Sequence, residues 1–222
     1  IFIGYDPREK VAFNVLAHSL YQRASCPISI IPLNLNQLGK EVYREKDPLQ
    51  STEFSFSRFI VPHLSNFEGW SIFMDSDMLA CDDILNLYNC RDDKHSVMVV
   101  KHDYEMKEGT KFLGEKQTPY PKKNWSSLIL FNNSKCRNLT KEYVNQASGL
   151  ELHQFKWLDS DDQIGDLPKE WNYLVGHYPK KDDVSLVHYT EGGPYFKDYK
   201  NVDYADLWFR EREDMLYALN PA

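Results

Sequence analysis

An apolar run from Trp70 to Met74 ends abruptly in two aspartates that are separated by one residue, Asp75 and Asp77. Side chains alternate along a strand, so both carboxylates should face the same way, at the sheet edge where open α/β folds bind ligands. Two close carboxylates repel each other unless a cation lies between them, and hard divalent ions prefer oxygen ligands. The segment predicts a strand that delivers a Mn²⁺ or Mg²⁺ site. The alternative is a solvated turn, in which Asp and Ser are ordinary residues.

Short apolar runs alternate with segments of helical spacing along most of the chain. Strands are predicted at 1–3, 28–33, 70–74, 97–100, 128–131 and 184–187, and helices at 9–22 and 57–64. This alternation predicts an α/β fold with a mostly parallel central sheet flanked by helices. A chain of 222 residues with 42% hydrophobic and 27% charged residues suits a single domain over 1–222. Because the sequence begins inside a predicted strand, it is consistent with a domain cropped from a longer chain.

Charge and cysteine content restrict the partners and the compartment. The net charge of −7 argues against non-specific binding to nucleic acid, because phosphate backbones select basic surfaces. Four cysteines without a Cys-x-x-Cys pair form no disulfide framework, so a reducing compartment, the cytoplasm, is expected. No stretch reaches 18 apolar residues, and we expect no transmembrane segment in this sequence.

The first predicted strand ends in Gly4, Tyr5 and Asp6. A glycine there allows close approach of the backbone, an aromatic ring can stack on a nucleobase, and a carboxylate can accept hydrogen bonds from base or ribose. A plain turn with a core tyrosine is the alternative. The sequence has no Gly-x-Gly-x-x-Gly and no Gly-x-x-x-x-Gly-Lys-Ser/Thr, which argues against a Rossmann dinucleotide site and a P-loop.

A histidine, His188, follows another strand-like run and precedes a turn with Gly192 and Gly193. Its neutral imidazole can serve as a third metal ligand, and a glycine loop can wrap a diphosphate. Lys197 is near enough in the sequence to offset phosphate charge. The alternative is a partly buried, hydrogen-bonded histidine with no ligand.

An acidic segment at 159–163 contains Asp161, Asp162 and Gln163. One interpretation is the N-cap and first turn of a helix, where Asp and Ser satisfy free backbone amides. The other is a carboxylate that projects into the crevice and binds sugar hydroxyls. The sequence leaves both open.

Taken together, these motifs resemble nucleotide-sugar glycosyltransferases of the GT-A fold, and their layout is similar to family 8 and related bacterial and viral transferases. The resemblance covers roughly residues 1–199 and depends on the order of its segments, since Asp-x-Asp alone is a weak motif. It is carried by six elements: Gly4-Tyr5-Asp6, Arg58, Asp75-Ser76-Asp77, 124–128, Asp162-Gln163 and His188.

The resemblance implies a role for each matching residue. Asp75, Asp77 and His188 would hold the metal, and Asp162 and Gln163 would be catalytic. The nucleotide would be bound by Gly4, Tyr5, Asp6, Arg58, Asp75, Ser76 and Lys197, and the donor sugar by Arg58, Ser127, Asp161 and Asp162. One departure is Glu191, which stands where family 8 usually has a glycine, and it makes the diphosphate clamp the weakest part of the match.

The implied activity is transfer of a sugar from a UDP-sugar to a hydroxyl of a glycan or other acceptor, with Mn²⁺ or Mg²⁺ and with retention of configuration. The polar segment 102–123 is interpreted as a loop or lid that excludes water. Two alternatives stay open. One is a Mg²⁺-dependent phosphatase of the haloacid dehalogenase type, in which an Asp-x-Asp also follows a strand. The other is a sugar-nucleotide binding domain without activity.

Overall fold

A computed structural model describes residues 1–45, 52–103, 109–110, 116–117 and 121–217. In these ranges the strands are β1 (Phe2–Gly4), β2 (Ile31–Leu33), β3 (Trp70–Met74), β4 (Met78–Ala80), β5 (Val97–Val99), β6 (Gly109–Thr110), β7 (Lys116–Gln117), β8 (Leu128–Asn132), β9 (Ile164–Asp166), β10 (Tyr173–Leu174) and β11 (Leu186–His188). The α-helices are α1 (Lys10–Arg23), α2 (Leu35–Leu38), α3 (Val61–Leu64), α4 (Ile84–Tyr88), α5 (Lys141–Gln146), α6 (Gly149–His153) and α7 (Ala205–Leu216).

The main sheet has six strands in the order β2-β1-β3-β8-β5-β9. Three of its five strand pairs are parallel, and β8 runs antiparallel to both of its neighbours. The structure confirms the predicted α/β class with a mostly parallel sheet. The strand predicted at 70–74 matches β3 in full.

A second sheet, in the order β10-β11-β4, was not predicted as a separate unit. After β3 the chain passes through residues 75–77 and re-enters a strand at once as β4, whose Met78 pairs with His188 in β11. The two aspartates therefore lie at the junction of two sheets. A strand of three residues has too few positions for a clear alternation, so its pairing partner cannot be read from the sequence.

The main sheet is covered on both faces, as its apolar strands predict. Phe73 packs with Phe59 and Phe131 on one face. On the other face, Ile72 and Met74 belong to the same cluster as the inward side of α1. Alternate residues of β3 thus pack against both covering layers. This packing fixes the position of Met74, the last residue of the strand.

The helix predicted at 9–22 corresponds to α1, which begins after a short 3₁₀ turn at Pro7–Glu9. Asp6 caps this turn, since its side chain accepts the backbone N–H of Arg8. The helix predicted at 57–64 is a 3₁₀ turn at Ser57–Ile60 followed by α3. Pro62 in the first turn of α3 explains the change of helix type, because proline lacks the N–H that a longer helix needs.

Most of the loop predicted at 102–123 lies outside the described residues. Its described parts include the antiparallel pair β6 and β7. Within the ranges given above, we find no helix whose length and apolar content are sufficient to cross a membrane.

The glycine that ends β1 is required by packing. A Cβ on Gly4 would lie 2.4 Å from the ring of Phe54, which is buried. We expect Gly4→Ala to lower the free energy of unfolding by about 1 to 3 kcal/mol through overpacking. Chemical denaturation measures this loss. In a Phe54→Leu background the same substitution should cost less, and an equal cost in both backgrounds would show that the Phe54 contact is not its source.

Candidate metal centre

Three side chains converge at the junction of the two sheets: Asp75, Asp77 and His188. Each offers one ligand atom, and these atoms lie within 4.8 Å of one another. The imidazole Nε2 of His188 is 3.4 Å from a carboxylate oxygen of Asp77. His188 is only 1% exposed and Asp77 is 9% exposed. The grouping agrees with the sequence prediction, which placed both carboxylates on one face and added the histidine.

The chemistry of this group fits a small divalent cation. Two ligands on opposite sides of Mg²⁺ are about 4.2 Å apart, since each bond is about 2.1 Å long. The observed spread of 4.8 Å is close to that limit. Two carboxylates and one imidazole suit Mn²⁺ or Mg²⁺, with further positions left for substrate oxygens. Asp75, Asp77 and His188 are therefore the residues that can hold a metal.

Arg58 supplies the positive charge beside Asp75. Its guanidinium lies 2.9 Å from a carboxylate oxygen of Asp75 and also donates to the carbonyls of Ser55 and Ser126, at 3.1 and 2.8 Å. The guanidinium stands 4.9 Å from the centre of the Phe73 ring, and the residue is buried. These contacts direct Arg58 toward Asp75. Its predicted contact with the donor phosphate or sugar stays a prediction.

His188 is oriented from behind by Asn172. The side-chain oxygen of Asn172 lies 2.8 Å from Nδ1 of His188, and its amide nitrogen donates to the hydroxyl of Ser127, also at 2.8 Å. This network assigns the ring proton to Nδ1, which leaves the lone pair of Nε2 directed to the metal position. Ser127, which was predicted to lie near the donor sugar, accepts this bond from Asn172 and so supports His188 indirectly. Asn172 was not predicted, because it belongs to no motif that is visible in the sequence.

The turn before β8 supports both Asp75 and His188. It is a 3₁₀ turn at Trp125–Ser127 whose N-cap, Asn124, has a left-handed backbone with φ of 62°. The carbonyl of Ser127 accepts the backbone N–H of Asp75 at 2.9 Å. Its hydroxyl donates to the carbonyl of Asn124 at 2.7 Å. One short turn therefore fixes the backbone at Asp75 and the support of His188.

Five of the seven residues predicted to bind the nucleotide lie at the ends of β1 and β3: Gly4, Tyr5, Asp6, Asp75 and Ser76. Asp6 is buried and bonds to the side chain of Arg8 and the backbone of Glu53. Burial raises the pKa of Asp6, but these hydrogen bonds outweigh it and hold the pKa below its usual value. Tyr5 makes an edge contact with Phe13, with centroids 5.5 Å apart.

Gly4 lies against the ring of Phe54, which a Cβ at this position would meet. Ser76 is fully buried, and its hydroxyl has no hydrogen-bond partner among the described residues. The nucleotide contacts of Gly4, Tyr5, Asp6 and Ser76 stay predictions.

Asp161, Asp162 and Gln163 form a single 3₁₀ turn that leads into β9. Strand pairing puts the start of β9 level with the start of β3, while Asp75 follows the end of β3. Asp161 pairs with Lys122, which lies two residues before Asn124, the N-cap of the turn that precedes β8. Ser160 caps the turn by accepting the backbone N–H of Asp162, a contact of the kind that the capping interpretation expects. The catalytic and donor-sugar roles of these three residues stay predictions.

The loop after β11 contains the departure at Glu191. Its carboxylate lies 3.2 Å from Nε2 of His177, so the loop after β11 contacts the segment that follows β10. Gly193 leaves room for the ring of Tyr195, which a Cβ would meet at 2.2 Å. Lys197 is exposed in the following 3₁₀ turn. Its phosphate contact stays a prediction.

A buried glutamate under this loop was missed by the sequence analysis. Glu9 is 1% exposed and accepts a hydrogen bond from the hydroxyl of Tyr195 at 3.0 Å. Burial and the nearby charge of Asp77 raise the pKa of Glu9 to about 8, although the bond from Tyr195 opposes the shift. A lone glutamate in the first turn of a helix has no sequence signal that would distinguish it from a surface residue.

Comparison with known proteins gives one relative by sequence. No model of a known protein family matches the chain. It is 47% identical over 223 residues to Protein CDI of Arabidopsis thaliana, an alignment that covers 96% of this chain and 86% of that protein.

Solved structures with a similar fold include glycosyltransferases. WbbM, a bifunctional glycosyltransferase, superposes with a TM-score of 0.59 and 16% identity over 95% of this chain and 49% of WbbM, so this chain spans about half its length. The galactosyltransferase LgtC, solved with donor and acceptor sugar analogues, gives a TM-score of 0.60 and 11% identity over 99% of this chain and 96% of LgtC. The likeness confirms the predicted GT-A-like fold.

The shifted pKa of Glu9 predicts a pH dependence of stability. Because the folded pKa of about 8 exceeds the ordinary value of 4.5, the native state holds one more proton than the unfolded state between these values. Stability should therefore fall as the pH rises through that window. Glu9→Gln should reduce this fall by on the order of 1 kcal/mol per pH unit in metal-free protein. Urea unfolding at several pH values measures it. Glu142→Gln, an exposed change in α5, is the control, and the same slope in Glu9→Gln as in wild type would contradict the assignment.

Proposed function

This chain belongs to the family of the Arabidopsis thaliana Protein CDI, and since it combines the GT-A-like fold with an Asp-Asp-His centre, we propose that it is a metal-dependent glycosyltransferase. It moves a sugar from a UDP-sugar to a hydroxyl of a glycan or other acceptor, with Mn²⁺ or Mg²⁺ as the cofactor.

The observation that carries this proposal is the spacing of Asp75, Asp77 and His188, whose ligand atoms lie within 4.8 Å. Protein sites for Mg²⁺ commonly use one or two carboxylates and complete the coordination with substrate phosphates. A nucleoside diphosphate sugar provides such phosphates. The position of the centre at the carboxyl end of β3, beside the end of β1, is the crevice in which α/β sheets bind nucleotides.

The chain's own residues would hold and orient the donor. Arg58 offsets the charge of Asp75, and Asn172 keeps Nε2 of His188 available. Tyr5 would stack on uracil, and Lys197 would approach the diphosphate. A bound divalent ion would stabilise the negative charge that grows on the departing diphosphate, without a proton transfer.

The structure offers a reason to prefer this activity over phosphatase chemistry. In a phosphatase of the haloacid dehalogenase type, the first aspartate of the pair attacks the substrate. Here the guanidinium of Arg58 lies 2.9 Å from Asp75, and a carboxylate held in this way is a weaker nucleophile. A binding domain without turnover would keep the metal and nucleotide and differ only in activity.

Nucleotide binding is the first prediction of this proposal. With UDP at about a hundredfold excess over its Kd, binding stabilises by about 2.7 kcal/mol, so Tm should rise by about 5 to 10 °C. We expect the rise to need UDP and Mn²⁺ together and to be absent in Asp77→Asn. The exposed Asp203→Asn is the matched control and should behave as wild type. No shift in wild type, with turnover of a phosphate ester in Mg²⁺, would replace the transferase by the phosphatase.

Turnover is the second prediction. Screening UDP-sugars with simple sugar acceptors should give a Mn²⁺-dependent product whose anomeric configuration, measured by proton NMR, equals that of the donor. Inversion would refute the retaining mechanism and leave the transferase in place. UDP binding without any transfer or donor hydrolysis would favour the inactive binding domain.

A further inference from the structure

A histidine outside the metal group is tied to the residues that support it. Nδ1 of His153, the last residue of α6, lies 2.7 Å from the hydroxyl of Ser126. His153 also has a hydrogen bond to the backbone of Ser55. Its ring packs edge-on against Phe59, with centroids 5.2 Å apart, and also contacts Phe56. The imidazole is therefore held by two polar partners and two rings.

The same two serines provide the carbonyls that hold Arg58. Its Nε donates to Ser55 at 3.1 Å, and a terminal nitrogen donates to Ser126 at 2.8 Å. That terminal nitrogen is also the one that lies 2.9 Å from Asp75. Moving either carbonyl would change the direction in which the guanidinium is presented to the carboxylate.

The protonation state of His153 suits this position. Burial, together with the charges of Arg58, Lys123 and Arg44, lowers its pKa well below the usual value. A neutral imidazole adds no positive charge beside Arg58, so it can join the two serines without repelling the guanidinium.

We propose that His153 is a positioning residue of the metal centre: by joining Ser55 to Ser126 it fixes Arg58, and through Arg58 it fixes the orientation of the Asp75 carboxylate. This inference rests on the proposed metal-dependent function. His153 itself touches neither the metal group nor the substrate. Residues of this kind, one step removed from the ligands, commonly change metal affinity by 10- to 100-fold when they are replaced.

The test compares Mn²⁺ affinity, measured by calorimetric titration in the presence of UDP, among wild type, two single variants, their double variant and a control. His153→Phe keeps a ring against Phe56 and Phe59 but cannot bond to either serine. Ser126→Ala removes the hydroxyl alone and keeps the carbonyl. We expect His153→Phe to weaken Mn²⁺ binding by about tenfold, and Ser126→Ala by less. The double variant should bind Mn²⁺ as weakly as His153→Phe does, because both substitutions remove the same contact between His153 and Ser126.

The matched control is His63→Phe. His63 also contacts a phenylalanine ring and pairs with one carboxylate, that of Glu41 at 3.0 Å. It lies on α3, and among the described residues no hydrogen bond or ion pair joins it to Arg58. Its substitution should leave Mn²⁺ affinity within about twofold of wild type. A purely structural effect on stability would appear in the Tm of both histidine variants and leave Mn²⁺ affinity unchanged.

The possible results distinguish a failure of the positioning role of His153 from a failure of the proposed function. Wild-type Mn²⁺ affinity in folded His153→Phe would overturn the positioning role and leave the proposed function intact. Additive losses in the double variant would also overturn it, because His153 would then act independently of Ser126. If wild-type protein binds no Mn²⁺ with UDP, the proposed function fails and this inference fails with it. If His153→Phe does not fold, Ser126→Ala decides, since a wild-type affinity there would overturn the link.

Discussion

The mutual repulsion of two carboxylates is the constraint around which the rest of this fold is arranged. Asp75 and Asp77 are brought within a few ångströms at a junction with little access to water, where like charges are costly. Arg58 offsets one of them with a buried guanidinium that has aromatic rings around it. The other faces the imidazole of His188, whose lone pair prefers a cation as its neighbour. The arrangement is one that a bound divalent ion would complete, because it would attract both carboxylates and the imidazole together.

The direction of one strand decides which part of the chain supports this centre. Because β8 is antiparallel to β3, it is the residues before β8, not those after it, that lie beside Asp75. The turn at Trp125–Ser127 uses a carbonyl on one side and a hydroxyl on the other, so a single backbone conformation sets both Arg58 and Asn172. Substitutions in this turn should therefore change the orientation of both Asp75 and His188. A substitution of Asn172 alone should change only the orientation of His188.

The sequence predicted those features that depend on local pattern. The apolar run 70–74 specified β3, its end specified the shared face of two aspartates, and a second strand-like run indicated His188. The features that it missed depend on pairing between distant segments. β4 is too short to show a period, and Asn172 and His153 become relevant only through partners 16 and 27 residues away. The segment at Asp161–Gln163 fits both a cap and a carboxylate that binds sugar hydroxyls, because Asp and Ser suit either role, so its function stays a prediction.

The antiparallel β8 also bears on how chains of this family can diverge. Val99 ends β5 and Leu128 begins β8, and their pairing brings both to the same end of the sheet. A connection whose two ends are already neighbours can be lengthened at little entropic cost, about 0.6 kcal/mol for each doubling of its length. Insertions and deletions that fall between β5 and Asn124, and so spare the turn at Trp125–Ser127, would leave the strand register and the position of Asp75 unchanged. This part of the connection can therefore change in length while the metal centre stays the same. The surroundings of the centre can then diverge among relatives without changes in Asp75, Asp77 or His188.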